Sequence, residues 1–173
     1  MKAKTPEDSK TIATQIVLPN DTNPHGNLFG GELLGWMDVT AAISAQRHSR
    51  LVVVTAAVNN VAFGTPIKES SVVTLEAKVS RAFTSSMEIF IDVYVENQIS
   101  GVQKKHNEAI YTFVAVDQNG GTISVPPIEP ETKEEKERFE GALRRKQLSL
   151  ILAGKMDPQD ATELKKLFIG EDQ

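Results

Sequence analysis

The chain has 173 residues, enough for one domain with an appendage and for a core that needs no covalent staples. It has no cysteine, which excludes a thiol nucleophile, thiolate metal sites and a disulfide framework, and which agrees with a reducing compartment. Nineteen basic residues against 23 acidic ones give a formal charge of −4 without a basic face, so nucleic acid is not an expected partner.

The first residues, MKAKTPEDSK, are polar with no hydrophobic signal segment, and no apolar run approaches a membrane span; a cytoplasmic protein with no membrane partner is expected. Thr11 to Leu18 reads as a first strand, and Pro19 to Gly26 leads on to a helix over roughly Glu32 to His48. Leu33, Leu34, Trp36, Met37, Val39, Ala41, Ala42, Ile43 and Ala45 leave that helix no wide polar face, which predicts burial. Trp36 and Met37 read as core or dimer packing, and His48 as a cation or polar cap suited to the helix end. Leu51 to Phe63 has the near-continuous apolar character of a strand buried on both faces, closed by Gly64-Thr65-Pro66.

Ser71 to Phe83 alternates, with Val73, Leu75, Ala77 and Val79 on one face and Thr74, Glu76, Lys78 and Ser80 on the other. After the short Phe83 to Ser86 link, Met87, Ile89, Ile91, Val93 and Val95 repeat the pattern opposite Glu88, Asp92 and Glu96, which predicts a hairpin. A turn over Asn97 to Lys105 around Gly101 and a strand over His106 to Asp117, ended by Asn119-Gly120-Gly121, complete the series. A strand, a helix and four strands with hairpin-length connections predict an α+β fold in which an antiparallel sheet wraps a long central helix. Such a unit leaves a sheet edge and part of its helix uncovered, so at least a symmetric dimer that joins two sheets is expected.

Val125 to Pro130 reads as an extended linker, with the sheet domain ending near Ile128. The division expected is 1–130 for the wrapped-sheet domain and 131–173 for a C-terminal helical extension. Thr132 to Glu135 has the spacing of a capping box opening a charged helix to about Leu150, and Asp157-Pro158 caps a last helix to Phe168. The Arg144-Arg145-Lys146 cluster reads as solvated surface, with an anionic ligand as the alternative.

Chemistry concentrates in Asn23 to Asp38, NPHGNLFGGELLGWMD. Gly30 and Gly31 carry no Cβ to keep a ligand away, and the unpaired N–H groups of a first helical turn favour an oxygen that is becoming negative. This is the arrangement of an oxyanion site. Gly31, Gly35, Asp38, Ala42 and Ala45 form a seam of small side chains on which Asp38 is the single charge. From this pattern Asp38 is a general base or a structural carboxylate, and Asn23 a site residue or an ordinary turn asparagine beside Pro24.

Asn23, Gly26, Gly30-Gly31 and Asp38, followed by Arg47-His48-Ser49, Val53-Val54-Thr55-Ala56, Ser85-Ser86-Met87-Glu88 and Phe113 to Asp117, resemble the acyl-CoA thioesterase family of the hotdog fold. The resemblance runs from about Thr11 to Glu140 and is to a bacterial single-hotdog member related to the cytosolic acyl-CoA hydrolases. It implies hydrolysis of fatty acyl-CoA to a free acid and coenzyme A, with no metal or redox cofactor. It implies that Asn23 of one subunit works with Asp38 of the other, Asp38 activating water or attacking directly to give an anhydride, while the N–H of Gly31 or its neighbour polarises the carbonyl. A homo-oligomer follows, a trimer of such dimers. Gly30 and Phe63 are implied at the substrate, and Thr84, Ser85 and Ser86 resemble the segment that holds coenzyme A. Many relatives have arginine where Thr84 stands, so Arg81, Lys104 or Lys105 would have to make that phosphate contact. Relatives often carry an acidic residue where Ala62 stands.

Two alternatives share the fold. A non-catalytic acyl-CoA binding or sensing protein predicts binding without thiol release, and the lack of a flanking DNA-binding segment weighs against a regulator. An enoyl-CoA hydratase is suggested by Asp21-Thr22-Asn23-Pro24-His25, but the histidine stands one residue out of that pattern.

Overall fold

The computed structural model describes residues 1–59, 61 and 63–169. Two compact units divide the chain, Met1–Glu129 and the residues from Pro130 onward. The first holds five strands, β1 (Thr11–Ile16), β2 (Val52–Asn59), β3 (Val72–Ala82), β4 (Ser86–Glu96) and β5 (Gln103–Val116), with helix α1 (Gly30–Ser49) inserted between β1 and β2. The strands form one antiparallel sheet in the order β1-β3-β4-β5-β2, and the sheet curls so that α1 packs against all five strands. This is the hotdog architecture that the order of elements predicts.

The period-two pattern decides the core. Val73, Leu75, Ala77 and Val79 of β3 and Met87, Ile89, Ile91 and Val93 of β4 are all fully buried, paired in register as Leu75 with Val93 and Ala77 with Ile91. On the opposite face of β4, Glu88 and Asp92 are buried as well. A buried carboxylate is costly unless it is partnered, and both are. Ser80 Oγ donates to Glu88 Oε1 at 2.6 Å, and Lys105 Nζ lies 2.7 Å from Asp92.

Two expectations are corrected. The connections after α1 are not all hairpins, because β2 leaves β3 and pairs with β5 as an edge strand. With a neighbour on one side only, β2 is not buried on both faces; Val52, Val54 and Val58 are exposed. Asn60 and Ala62, at the end of the expected strand, lie outside the described residues. The second correction concerns α1. Leu33, Met37, Ala41 and Ala45, spaced four apart, are buried against the sheet, but Val39 is 62% exposed and Gly35 faces open space. One side of the helix is therefore uncovered within the chain.

His48 closes α1 differently from a cationic cap. It is fully buried and its Nε2–H donates to the Pro126 carbonyl at 2.7 Å. Burial pushes its pKa below the ordinary 6.5, against the opposing pull of that bond, so the ring is neutral. The helix ends instead at Arg50, whose left-handed φ of 59° turns the chain out.

In the second unit, α2 (Lys133–Leu152) opens on the capping box: Glu135 N–H donates to Thr132 Oγ1 at 3.2 Å, and Thr132 N–H to Glu135 Oε2 at 3.1 Å. Gln147 Oε1 on α2 accepts from Leu164 N–H of α3 (Thr162–Ile169) at 2.9 Å. Arg145 donates to the Arg138 carbonyl, an internal role for part of the basic cluster. Among the described residues no helix is long and apolar enough to cross a membrane.

Candidate active site

The loop before α1 is built around Asn23. Its backbone N–H donates to Asn27 O at 2.8 Å, its carbonyl accepts from Gly26 N–H at 2.9 Å, and its Oδ1 accepts from the N–H groups of His25 at 2.9 Å and Asn27 at 3.3 Å. Gly26 takes the positive φ of 68° that this turn requires. Leu28 N–H to Ile67 O and Phe29 N–H to Asp21 O fasten the loop to its surroundings. Asn23 is thus a turn asparagine, and more than that: the turn consumes its oxygen and leaves its Nδ2 without an acceptor among the described residues, as a fixed donor.

The first turn of α1 has the same character. Phe29 at the N-cap makes no side-chain cap, and the N–H groups of Gly30 and Gly31 find no acceptor among the described residues. Phe63 lies over Gly30, where an added Cβ would stand 3.5 Å from the ring. Asn23, Gly30 and Phe63 line one cavity of about 220 Å³ with Leu33, Ile67 and His106. Asn23 and Gly30, which hold two of these N–H donors, thus line a mostly apolar chamber, which suits a carbonyl oxygen that gains charge, while Gly31 follows Gly30 on the helix without lining it. His25 is exposed and does not line the chamber.

Asp38 is elsewhere in the protomer. It stands seven residues beyond Gly31, about 10 Å along the helix axis. It is half-buried rather than sealed in the interior, and its Oδ1 accepts from Thr55 Oγ1 at 2.8 Å. Thr55 sits beside an irregularity of β2, where the pairing to β5 passes from Thr55 to Ala57 and leaves Ala56 unmatched. Tyr111 approaches from β5; its hydroxyl donates to the Leu34 carbonyl at 3.0 Å. Burial, with the Asp38 charge adding to it, raises the Tyr111 pKa to about 12. Tyr111 carried no signal in the sequence, and Thr55 only its place in the Val53-Val54-Thr55-Ala56 motif, with no role attached to it.

Arg81, Thr84, Ser85 and Ser86 form a third group, at the turn joining β3 to β4. Phe83 N–H to Ser86 O closes the turn at 2.8 Å, and the Arg81 guanidinium lies 5.5 Å from the centre of the Phe83 ring. Register places this turn at the Thr55 end of the sheet, since Met87 pairs with Phe113 and Phe113 with Thr55. Lys104 and Lys105 lie at the other end, and Lys105 is engaged by Asp92 and Glu108 at 2.7 and 2.8 Å. Of the three cations weighed for a phosphate, Arg81 alone is beside Thr84. Among the described residues no group of three or more His, Asp or Glu is placed to hold a metal.

Residues 25–102 match the Thioesterase superfamily. The chain is 43% identical over 129 residues to an acyl-CoA thioester hydrolase of Bacillus subtilis, itself described as uncharacterized, with 75% of each chain covered. It spans only 23% of a mouse acyl-coenzyme A thioesterase and 40% of the human cytosolic acyl coenzyme A thioester hydrolase. A Staphylococcus aureus acyl-CoA hydrolase solved with butyryl coenzyme A superimposes with a TM-score of 0.82 at 33% identity, over 88% of this chain and 95% of that one. Variants of that hydrolase with alanine at one asparagine, one aspartate and one threonine have been solved, and those positions are separated by the same fifteen and seventeen residues as Asn23, Asp38 and Thr55. An apo-hexameric acyl-CoA thioesterase matches with a TM-score of 0.81 at 33% identity, over 98% of this chain and 99% of that one.

Proposed function

The chain belongs to the acyl-CoA thioester hydrolases of the thioesterase superfamily, and from that membership we propose that it hydrolyses fatty acyl-CoA to a free acid and coenzyme A. The thioester oxygen accepts hydrogen bonds from the N–H of Gly31 or Gly30 and from Asn23 Nδ2. Asp38, with Oδ1 held by Thr55, uses Oδ2 to take a proton from water as the water oxygen bonds to the carbonyl carbon. The tetrahedral oxyanion collapses, the carbon–sulfur bond breaks, and the departing thiolate takes the proton from Asp38. The chemistry needs no metal or redox cofactor, since a thioester is already electrophilic.

Within one protomer the donors and the base are two helical turns apart, so Asn23 and Gly31 of one subunit act with the partner subunit's Asp38. The free edge of β2 and the uncovered side of α1 suit a second copy, and a trimer of dimers fits the hexameric neighbour. Arg81, Thr84, Ser85 and Ser86 hold the coenzyme A arm and its phosphates. A cytoplasmic setting fits the substrate and a chain without cysteine.

The observation that carries this reading is the division of the machinery: unpaired donors in a chamber, and a carboxylate with one oxygen held and the other open. A panel of acyl-CoAs with a thiol reagent tests it. Wild-type protein should release thiol, and Asp38→Asn should lower kcat by about 10²- to 10⁴-fold, the usual range for a general base. Full turnover in Asp38→Asn would overturn the mechanism; tight binding without thiol release would favour a sensor.

A further inference from the structure

Resting on the hydrolase reading, we propose that Tyr111 is a positioning residue for Asp38: its hydroxyl holds the helix carbonyl to which the Asp38 N–H is bonded, and so sets where the second carboxylate oxygen points. The Tyr111 hydroxyl donates to the Leu34 carbonyl at 3.0 Å. Helix α1 is continuous from Gly30 to Ser49, so that same carbonyl accepts the N–H of Asp38, four residues on. A carbonyl oxygen has two lone pairs and takes both donors. A strand side chain and the backbone of the base therefore meet at one atom.

Such a tether does what apolar packing does not. Leu33, Met37 and Ala41 are buried against the sheet, but the burial of apolar surface has no direction. A hydrogen bond weakens steeply with angle and length, so it fixes the rise and rotation of the helix. Two such bonds tie this stretch of α1 to the sheet. Thr55 on β2 holds Oδ1 of the carboxylate, and Tyr111 on β5 holds the helical turn that carries Asp38. The strands are neighbours: Thr55 pairs with Phe113, and Tyr111 lies two residues from Phe113 on the same face. With the backbone set by one bond and the carboxylate by the other, Oδ2 has a single aim. The aim is critical in a site divided between two subunits, since a misplacement of about 1 Å can cost roughly a hundredfold in rate.

Tyr111 itself takes no part in proton transfer. It is 1% exposed, and its one hydrogen is given to Leu34. Burial first, and the Asp38 charge second, push its pKa up to about 12, so the hydroxyl stays protonated, and a donor, across the working pH range.

The test compares Tyr111→Phe with wild type by thiol release from acyl-CoA, in the full-length protein well below its melting temperature. The variant keeps the ring and leaves the Leu34 carbonyl bonded to the Asp38 N–H, so no buried group is stranded and the protein should fold. Its kcat should fall by about three- to tenfold with KM unchanged. The loss should shrink to less than about twofold in a Thr55→Val background, where the carboxylate is already loose, and disappear in Asp38→Asn, where no base remains to be aimed. Ile89→Val, at the residue paired with Tyr111 on β4, is the control for a loosened core and should lower Tm without lowering kcat.

Unchanged kcat in Tyr111→Phe, while wild type releases thiol and Asp38→Asn is slow, overturns this inference and leaves the hydrolase reading standing. A loss of equal size in all three backgrounds, or an equal loss in Ile89→Val, would make the hydroxyl a general prop of the core and overturn it also. A rise in KM alone would do the same, and so would a Tyr111→Phe protein that does not fold, since the hydroxyl would then serve folding. Absence of thiol release by wild type would remove the hydrolase reading first, and full turnover in Asp38→Asn would remove the base that Tyr111 is proposed to place.

Discussion

Thr55 fixes one oxygen of Asp38 with a 2.8 Å hydrogen bond, and in the proposed mechanism a base used once per turnover would gain from having its other oxygen aimed. Thr55→Val keeps the shape of the side chain and removes the donor; kcat should fall by about tenfold with little change in KM, and Thr55→Ser should restore most of it. A KM effect alone would make Thr55 a binding residue. Asp38 and Asn23 were legible in the sequence as residue types in a suggestive place. Their partners were not. Thr55 reaches Asp38 because the sheet curls back over the helix, a contact between residues seventeen positions apart that no local period encodes. The place of His106 was illegible for the same reason: it stands at a bulge far along the chain from Asn23, and only folding brings the two to one chamber.

At the scale of elements, β3 and β4 were read correctly because one buried face imposes strict alternation, and their registers place every predicted core residue inside except Val95, which is only half-buried near the end of β4. The strand after the helix misled because a continuous apolar run has two meanings. It marks a central strand, or an edge strand with more surface than its own chain covers, and β2 is the second. The same alternation placed Glu88 and Asp92 on the opposite face, and it reports which side a residue faces and not what lies there, which is why their burial was not legible.

The end of α1 yields a pH dependence. His48 is neutral and buried in the folded state, with Lys4 donating to its backbone carbonyl and the charges of Lys4 and Asp8 nearby. Unfolded, it takes up a proton near 6.5; folded, only below that. The unfolded state thus binds more protons below about 6.5, and stability falls as pH drops through that interval. Thermal unfolding at about pH 7.5 and pH 5.5 should show a drop in Tm for wild type and a smaller drop for His48→Gln, which can still donate to Pro126 without titrating. An unchanged difference would show that other groups dominate.

For the whole molecule, the two halves of the proposed site call for a symmetric pair. Co-expression tests this directly. Asn23→Ala and Asp38→Asn should each be nearly inactive alone, but a mixed dimer carries one intact site, so random pairing should restore about a quarter of wild-type activity. No recovery on mixing would confine the chemistry to single protomers. Recovery should vanish on adding Val54→Asp to both chains, because Val54 is exposed on the edge strand proposed to join the pair.

The unmatched Ala56 beside Thr55 separates durability from speed. Pairing resumes at Ala57 with Thr112, next to Phe113 opposite Thr55, so excising Ala56 would close β2 into an uninterrupted ladder without flipping any side chain on either flank. The shortened protein should melt at the same temperature or higher yet turn over more slowly, its threonine hydroxyl no longer swung toward the carboxylate. Calorimetry paired with steady-state rates would show whether this extra residue is kept at the expense of a smoother strand.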